Sequence, residues 1–118
     1  MDNPAIQEIE PVAVNENLLL NKIMLIDVRE PHEFSEARIV GAFNLPLSTF
    51  DPKVLPVTSD RPIVLHCGTG KRSMKALEIC QAAGVPISAH MAGGITAWRR
   101  AELPIVAVDP ATGRLRMM

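Results

Sequence analysis

The chain has 118 residues, 47% of them hydrophobic, which is the length and apolar content of one domain with a core of its own. Its formal net charge is -1, from 12 basic and 13 acidic residues, so no global field recruits nucleic acid or an anionic membrane and any anion attraction must be local. Two cysteines, Cys67 and Cys80, are too few for a disulfide framework and lack the paired spacing of a zinc site, which suits a reducing compartment.

Met1 to Glu10 is polar and acidic, so neither a signal peptide nor a membrane anchor is expected. No apolar stretch approaches bilayer-spanning length, and the cytoplasm is the expected location. Pro11 to Asn21 predicts a helix. Ile23-Met24-Leu25-Ile26-Asp27-Val28 is short, apolar and β-branched and ends in the polar Arg29-Glu30-Pro31 turn, which predicts a buried strand. Glu30 to Ala37 suits a further helical turn or two, and Ala42 to Leu45, bounded by Gly41 and Pro46, a second strand. Asp51 to Asp60, carrying Pro52 and Pro56, reads as a surface connection.

Pro62-Ile63-Val64-Leu65-His66 predicts another buried strand, opening into the glycine-containing segment from Cys67 to Ser73. Ser73 to Ala83 has no internal Gly or Pro and spaces Met74, Leu77 and Cys80 three apart, so one helical face is apolar. Ser73 is placed to cap that helix and Gly84 to stop it. Val85 to Ala89 is a weaker strand, and Gly94 to Glu102 a helix stopped before Pro104. From Ala107 onward two alternatives stay open, a hairpin around Asp109 to Gly113 or a disordered tail. Continuous apolar strands alternating with helices predict an α/β domain whose mostly parallel sheet is covered on both faces. The expected organisation is an N-terminal segment 1–8, a domain over 9–106 and an extension over 107–118.

Cys67 follows a buried strand at its carboxyl end, where open parallel sheets bind ligands. Gly68 and Gly70 let the backbone curl so that successive N–H groups, Thr69 among them, point at one centre, and the following helix adds the positive end of its dipole. Lys71 and Arg72 put two positive charges beside this nest. All of these stabilise a thiolate, the form of cysteine that attacks sulfur or phosphorus. A lone cysteine is more often core, but a core residue needs no glycines, no Lys-Arg pair and no strand-to-helix turn around it. Cys80 fits the core reading: it shares the apolar face of its helix about 10 Å beyond Ser73.

The loop Cys67-x-x-Gly70-x-Arg72-Ser73 resembles the active-site loop of single-domain rhodaneses. Leu25 to Phe34, followed by Gly41-Ala42 and Asn44-Leu45-Pro46, is similar to the family's N-terminal signature, and Gly93 to Trp98 to its C-terminal one. The resemblance covers roughly Ile9 to Pro104. It implies a three-layer domain with a five-stranded, mainly parallel sheet flanked by helices. It also implies sulfur transfer through a persulfide on Cys67, cradled by Gly68, Thr69, Gly70, Lys71, Arg72 and Ser73, with no metal or organic cofactor. Thiosulfate is the family's usual test donor and cyanide its test acceptor, in a double-displacement mechanism. Where many relatives have His-Ile-Pro-Gly-Ala, this chain has Arg38-Ile39-Val40-Gly41-Ala42, which alters a turn and not the nucleophile.

The resemblance brings Asp27 and Arg29 near the loop, where Asp27 could bond loop groups or orient a basic side chain and Arg29 could add positive potential. The plainer alternative is a surface ion pair worth at most about 1 kcal/mol. A structural role beside the site is the preferred reading. His66 precedes Cys67 but points to the opposite face of its strand. His32 reads as solvated and His90 as the end of a weak strand. None of the three has the spaced partners of a metal ligand. Trp98 reads as a packing anchor.

A phosphatase or arsenate reductase also uses a thiolate in an anion loop. Only Gly68, Thr69, Gly70 and Lys71 separate Cys67 from Arg72, a tighter ring than the five intervening residues of the related cell-cycle phosphatases. The other rival is a sulfur-carrier or protein-interaction module with little small-molecule turnover. Expected partners are small sulfur anions such as thiosulfate, with a protein sulfur donor or acceptor left open, and neither nucleic acid nor membrane.

Overall fold

Along the chain run β1 (Gln7–Ile9), α1 (Pro11–Leu19), β2 (Met24–Asp27), α2 (Pro31–Glu36), β3 (Ala37–Arg38), β4 (Phe43–Asn44), β5 (Ile63–His66), α3 (Lys71–Ala82), β6 (Ala89–Met91), α4 (Gly94–Arg100), β7 (Val106–Val108) and β8 (Leu115–Met117). The structure, a computed structural model, describes residues 5–58 and 60–118. Residues 1–4 of the N-terminal segment and residue 59 of the 51–60 connection lie outside the described residues.

Five strands form one sheet in the order β1-β6-β5-β2-β4, with every neighbouring pair parallel. Parallel pairing leaves both faces to be covered by helices, and the side chains divide accordingly. Leu25 and Val64 face a core shared with Val14, Met91, Ile95 and Trp98. Ile26, Ile63 and Leu65 face a second core with Ala76, Leu77 and Cys80. The strand period of two therefore sends alternate residues to α1 and α4 on one side and to α3 on the other. This is the expected α/β fold, a five-stranded parallel sheet flanked by helices, with β5 in the middle.

Several expectations shift. The strand expected at Val85 to Ala89 forms instead at Ala89–Met91, because its register against β5 pairs Val64 with Ala89 and Leu65 with His90. Pro86 has no N–H to give to a ladder, and Val85 to Ser88 is the approach to the strand. The helix expected from Ser73 begins at Lys71, with Gly70 as its capping residue in a left-handed conformation, φ 106°. Ser73 thus sits inside the first turn and is not its cap. Of the two alternatives for the tail, the hairpin is the one formed: β7 and β8 pair antiparallel, and β7 pairs with β3 to make a second, three-stranded sheet. The first strand, β1, begins within the segment 1–8 and pairs with β6.

Trp98 is 1% exposed and its indole N–H donates to the Pro104 carbonyl at 3.0 Å, which ties α4 to the chain leading into β7. No helix among the described residues is long and apolar enough to cross a membrane.

Candidate active site

The middle strand β5 delivers Cys67 at its carboxyl end, and three residues after Cys67 the turn reaches Gly70, the cap of α3. The N-terminus of α4 shapes this turn. Ile95 N–H donates to the Cys67 carbonyl at 2.8 Å and Thr96 N–H to the Gly68 carbonyl at 3.1 Å. Carbonyls held outward in this way leave the following N–H groups to face inward, toward the sulfur. The close approach requires Gly94, whose φ is +61° and where a Cβ would collide with the carbonyls of Cys67 and Gly68. The Gly93-Gly94 pair is therefore part of the loop's construction, although it lies far from the loop in sequence.

Cys67 Sγ accepts the N–H of Gly70 at 3.1 Å and that of Ser73 at 3.3 Å, and lies 3.5 Å from Ser73 Oγ. Its residue is 1% exposed. Burial by itself pushes the thiol up, yet the Ser73 hydroxyl and the N–H groups of Ser73, Gly70 and Thr69 outweigh it and draw the pKa below that of an ordinary thiol. The cradle is thus an anion site built from backbone dipoles, with the sulfur at its focus.

Arg72 stands at the rim, its Nη2 3.1 Å from where a Cβ on Gly68 would lie. Its guanidinium is also forked onto Glu33, Nη1 to Oε1 at 2.6 Å and Nη2 to Oε2 at 3.0 Å. Glu33 accepts the Glu30 N–H as well, at 3.1 Å. The Arg72 hydrogen bond holds the Glu33 carboxyl down at about 2 and raises Arg72 in turn. Sequence reasoning treats Arg72 as an uncompensated cation and misses Glu33, whose only signal is its place in the N-terminal motif. Lys71 is exposed at the first position of α3.

Asp27 and Arg29 are not a surface pair: they are 0% and 6% exposed. Arg29 Nε lies 3.1 Å from both carboxylate oxygens of Asp27, and Nη2 lies 2.8 Å from Oδ2 and 2.6 Å from the Ala37 carbonyl. Asn44 Nδ2 donates to the carbonyls of Asp27 and Arg29 at 3.0 and 2.9 Å. The pair therefore clamps the end of β2 to β3 and β4, and removing one partner from such a buried pair costs about 3–5 kcal/mol. His66 is buried with Nδ1 3.3 Å from the Cys67 carbonyl and Nε2 3.6 Å from Asp27 Oδ2, and burial lowers its pKa.

His90 is the polar group that sequence reasoning passes over. It is 1% exposed, and its Nδ1 lies 2.7 Å from Ser73 Oγ, which is also 3.2 Å from the Gly70 carbonyl oxygen. With the strand expected at 85–89, nothing in the sequence points this imidazole toward α3. Among the described residues no group of three or more His, Cys, Asp or Glu side chains is arranged to hold a metal ion.

A parallel α/β sheet whose middle strand ends in a loop with N–H groups gathered on a cysteine sulfur defines a class of domains built around a cradled thiol. The chain belongs to the rhodanese-like domain family, whose sequence model matches residues 11–101. It is 42% identical over 89 residues to an uncharacterised Synechocystis protein, covering 75% of this chain and 50% of that one, so it spans half the length of that relative. It is 31% identical over 105 residues to a protein of Allochromatium vinosum named sulfurtransferase, covering 88% of this chain and 98% of the relative. The crystal structure of a rhodanese-related protein from Thermoplasma volcanium superposes with a TM-score of 0.71 at 29% identity, over 85% of this chain and 97% of that one.

Proposed function

We propose that the chain is a thiosulfate sulfurtransferase that works by double displacement through a persulfide on Cys67. The family match and a relative named sulfurtransferase that the chain covers nearly end to end support a role in sulfur transfer. The observation that carries the finer reading is the convergence of N–H groups and the Ser73 hydroxyl on Cys67 Sγ. The Cys67 thiolate attacks the outer sulfur of thiosulfate, a new S–S bond forms, and the old one breaks with its electron pair leaving on sulfite. The persulfide's terminal sulfur then carries the negative charge. A cradle of fixed dipoles stabilises that charge without reorganising. A thiophilic acceptor, cyanide in vitro, takes the sulfur and restores the thiolate. In this reading Gly68, Thr69 and Gly70 shape the cradle, Ser73 donates to the sulfur, and Lys71 and Arg72 draw the dianion to the rim, with Asp27 and Arg29 supporting from below. A protein thiol is an acceptor of the same chemistry.

The test is intact-mass measurement after incubation with thiosulfate. The wild type gains one sulfur atom, Cys67→Ser gains none, and Cys80→Ser loads normally. A reduced Cys67 that takes up no sulfur would remove the intermediate and with it the proposal. In steady-state assays Arg72→Ala lowers kcat/KM for thiosulfate about tenfold, and Lys71→Ala about two- to threefold with a shallower salt dependence. Full turnover in both variants would leave anion recognition to the backbone alone.

A further inference from the structure

The polar contacts of Ser73 continue past the cradle. Its Oγ lies between Cys67 Sγ at 3.5 Å and His90 Nδ1 at 2.7 Å. The far nitrogen of the imidazole, Nε2, is buried without a hydrogen-bond partner among the described residues. It faces Glu8 Oε2 at 3.5 Å, from a side chain 61% exposed on β1, where the register sets Glu8 directly opposite His90. The groups around His90 are therefore Glu8 from β1, Ser73 from α3 and the apolar Leu65 from β5. A buried imidazole with one nitrogen on a hydroxyl that touches the nucleophile, and the other aimed at a solvent-exposed carboxylate, has no packing requirement that an apolar side chain would not meet.

We propose that Cys67, Ser73, His90 and Glu8 form a proton relay, in which His90 is a positioning residue that acts on the nucleophile through Ser73. As the thiol ionises, its proton passes to Ser73 Oγ while the hydroxyl's own proton passes to His90 Nδ1. The products are a thiolate, an intact hydroxyl that now donates to it, and an imidazolium whose Nε2–H points at the Glu8 carboxylate. Atoms and charge balance, and no other reactant is needed. Burial lowers the His90 pKa, partly offset by Glu8, so at rest the imidazole is neutral and free to accept. Glu8 in turn opens the relay to solvent. The inference rests on Cys67 being the nucleophile of the proposed transfer, but its readout is the ionisation of the thiol, not the transfer of sulfur.

The experiment is the pH profile of Cys67 alkylation by iodoacetamide in the full chain, followed by peptide mass. His90→Asn keeps an amide beside Ser73 but accepts no proton. Its profile shifts up by about one pH unit, so alkylation near neutral pH slows about tenfold. Glu8→Gln shifts it the same way, by about threefold in rate. In a Ser73→Ala background His90→Asn has no further effect, because the connecting hydroxyl is gone. A purely structural role for His90 would lower the melting temperature and leave the inflection where it is. The relay is overturned if the His90→Asn profile superimposes on wild type, or if its effect persists undiminished in Ser73→Ala. Should His90→Asn fail to fold, Glu8→Gln tests the same relay from an exposed position, and a profile unchanged from wild type overturns it there. Normal alkylation profiles with no sulfur loading would instead sink the transferase reading and leave the relay standing.

Discussion

Cys67 and Cys80 pack into the same core beneath α3, and both are almost wholly shielded from solvent. Burial alone would raise both thiols, and at Cys80 it does so, to about 11. Cys67 moves the other way because the N–H groups of Thr69, Gly70 and Ser73 and the Ser73 hydroxyl face its sulfur. The Cys67 thiol is drawn down here by donors that cannot turn away, not by access to water. In the last turn of α3, where Cys80 lies, the N–H groups are satisfied within the coil, whereas the first turn of α3 and the loop before it have N–H groups to give.

The largest effect expected from this contrast is in the ratio of the two reactivities. With Cys80 near 11 and Cys67 below the ordinary 9.0, iodoacetamide at neutral pH modifies Cys67 at least about 100-fold faster. Peptide mass against time measures it. Comparable rates in the folded protein would mean that the donors do not act on the sulfur.

A smaller effect comes from disturbing the scaffold behind the donors. Gly94→Ala puts a Cβ into the carbonyls of Cys67 and Gly68 at a φ of +61°. The expected loss is about 2–4 kcal/mol in a denaturant melt, with Cys67 alkylation slowed toward the behaviour of Cys80. Unchanged alkylation beside a lowered stability would show that the loop keeps its shape without α4.

The smallest effect concerns the rim. The Glu33 carboxyl is held at about 2 against 4.5 when free, so the Arg72 pair contributes stability that is complete above 4.5 and is lost as pH falls toward 2. Solvent screening at this partly exposed pair limits the difference to about 1 kcal/mol. Denaturant melts across that range check it: the wild type loses this increment on acidification and Arg72→Ala has none to lose.

The α/β class, the buried strands around Leu25 and Val64 and the turn whose N–H groups gather on Cys67 are all legible from residue order, because apolar runs, glycines and cations act on near neighbours. Cys80 is legible as core for the same reason, since helical period alone places it beside Leu77. Residue order places the β6 strand too early, and with it leaves His90 without a role. Strand edges depend on which neighbour supplies the ladder, and here β5 and β1 choose Ala89 to Met91 over the proline-bearing stretch before it.

Local chemistry in the sequence therefore singled out Cys67 and the loop that bears it. Only the tertiary structure decided what surrounds that loop: Glu33 forked onto Arg72, Asp27 and Arg29 buried as a clamp, Gly94 pressed against the Cys67 carbonyl, and His90 behind Ser73. Apart from Asp27 and Arg29, these partners lie many residues apart, and they meet because parallel strands bring their carboxyl ends to one edge of the sheet. Residue spacing sets what a turn can do, but a contact between separate strands and helices follows from register and packing, which no single segment encodes.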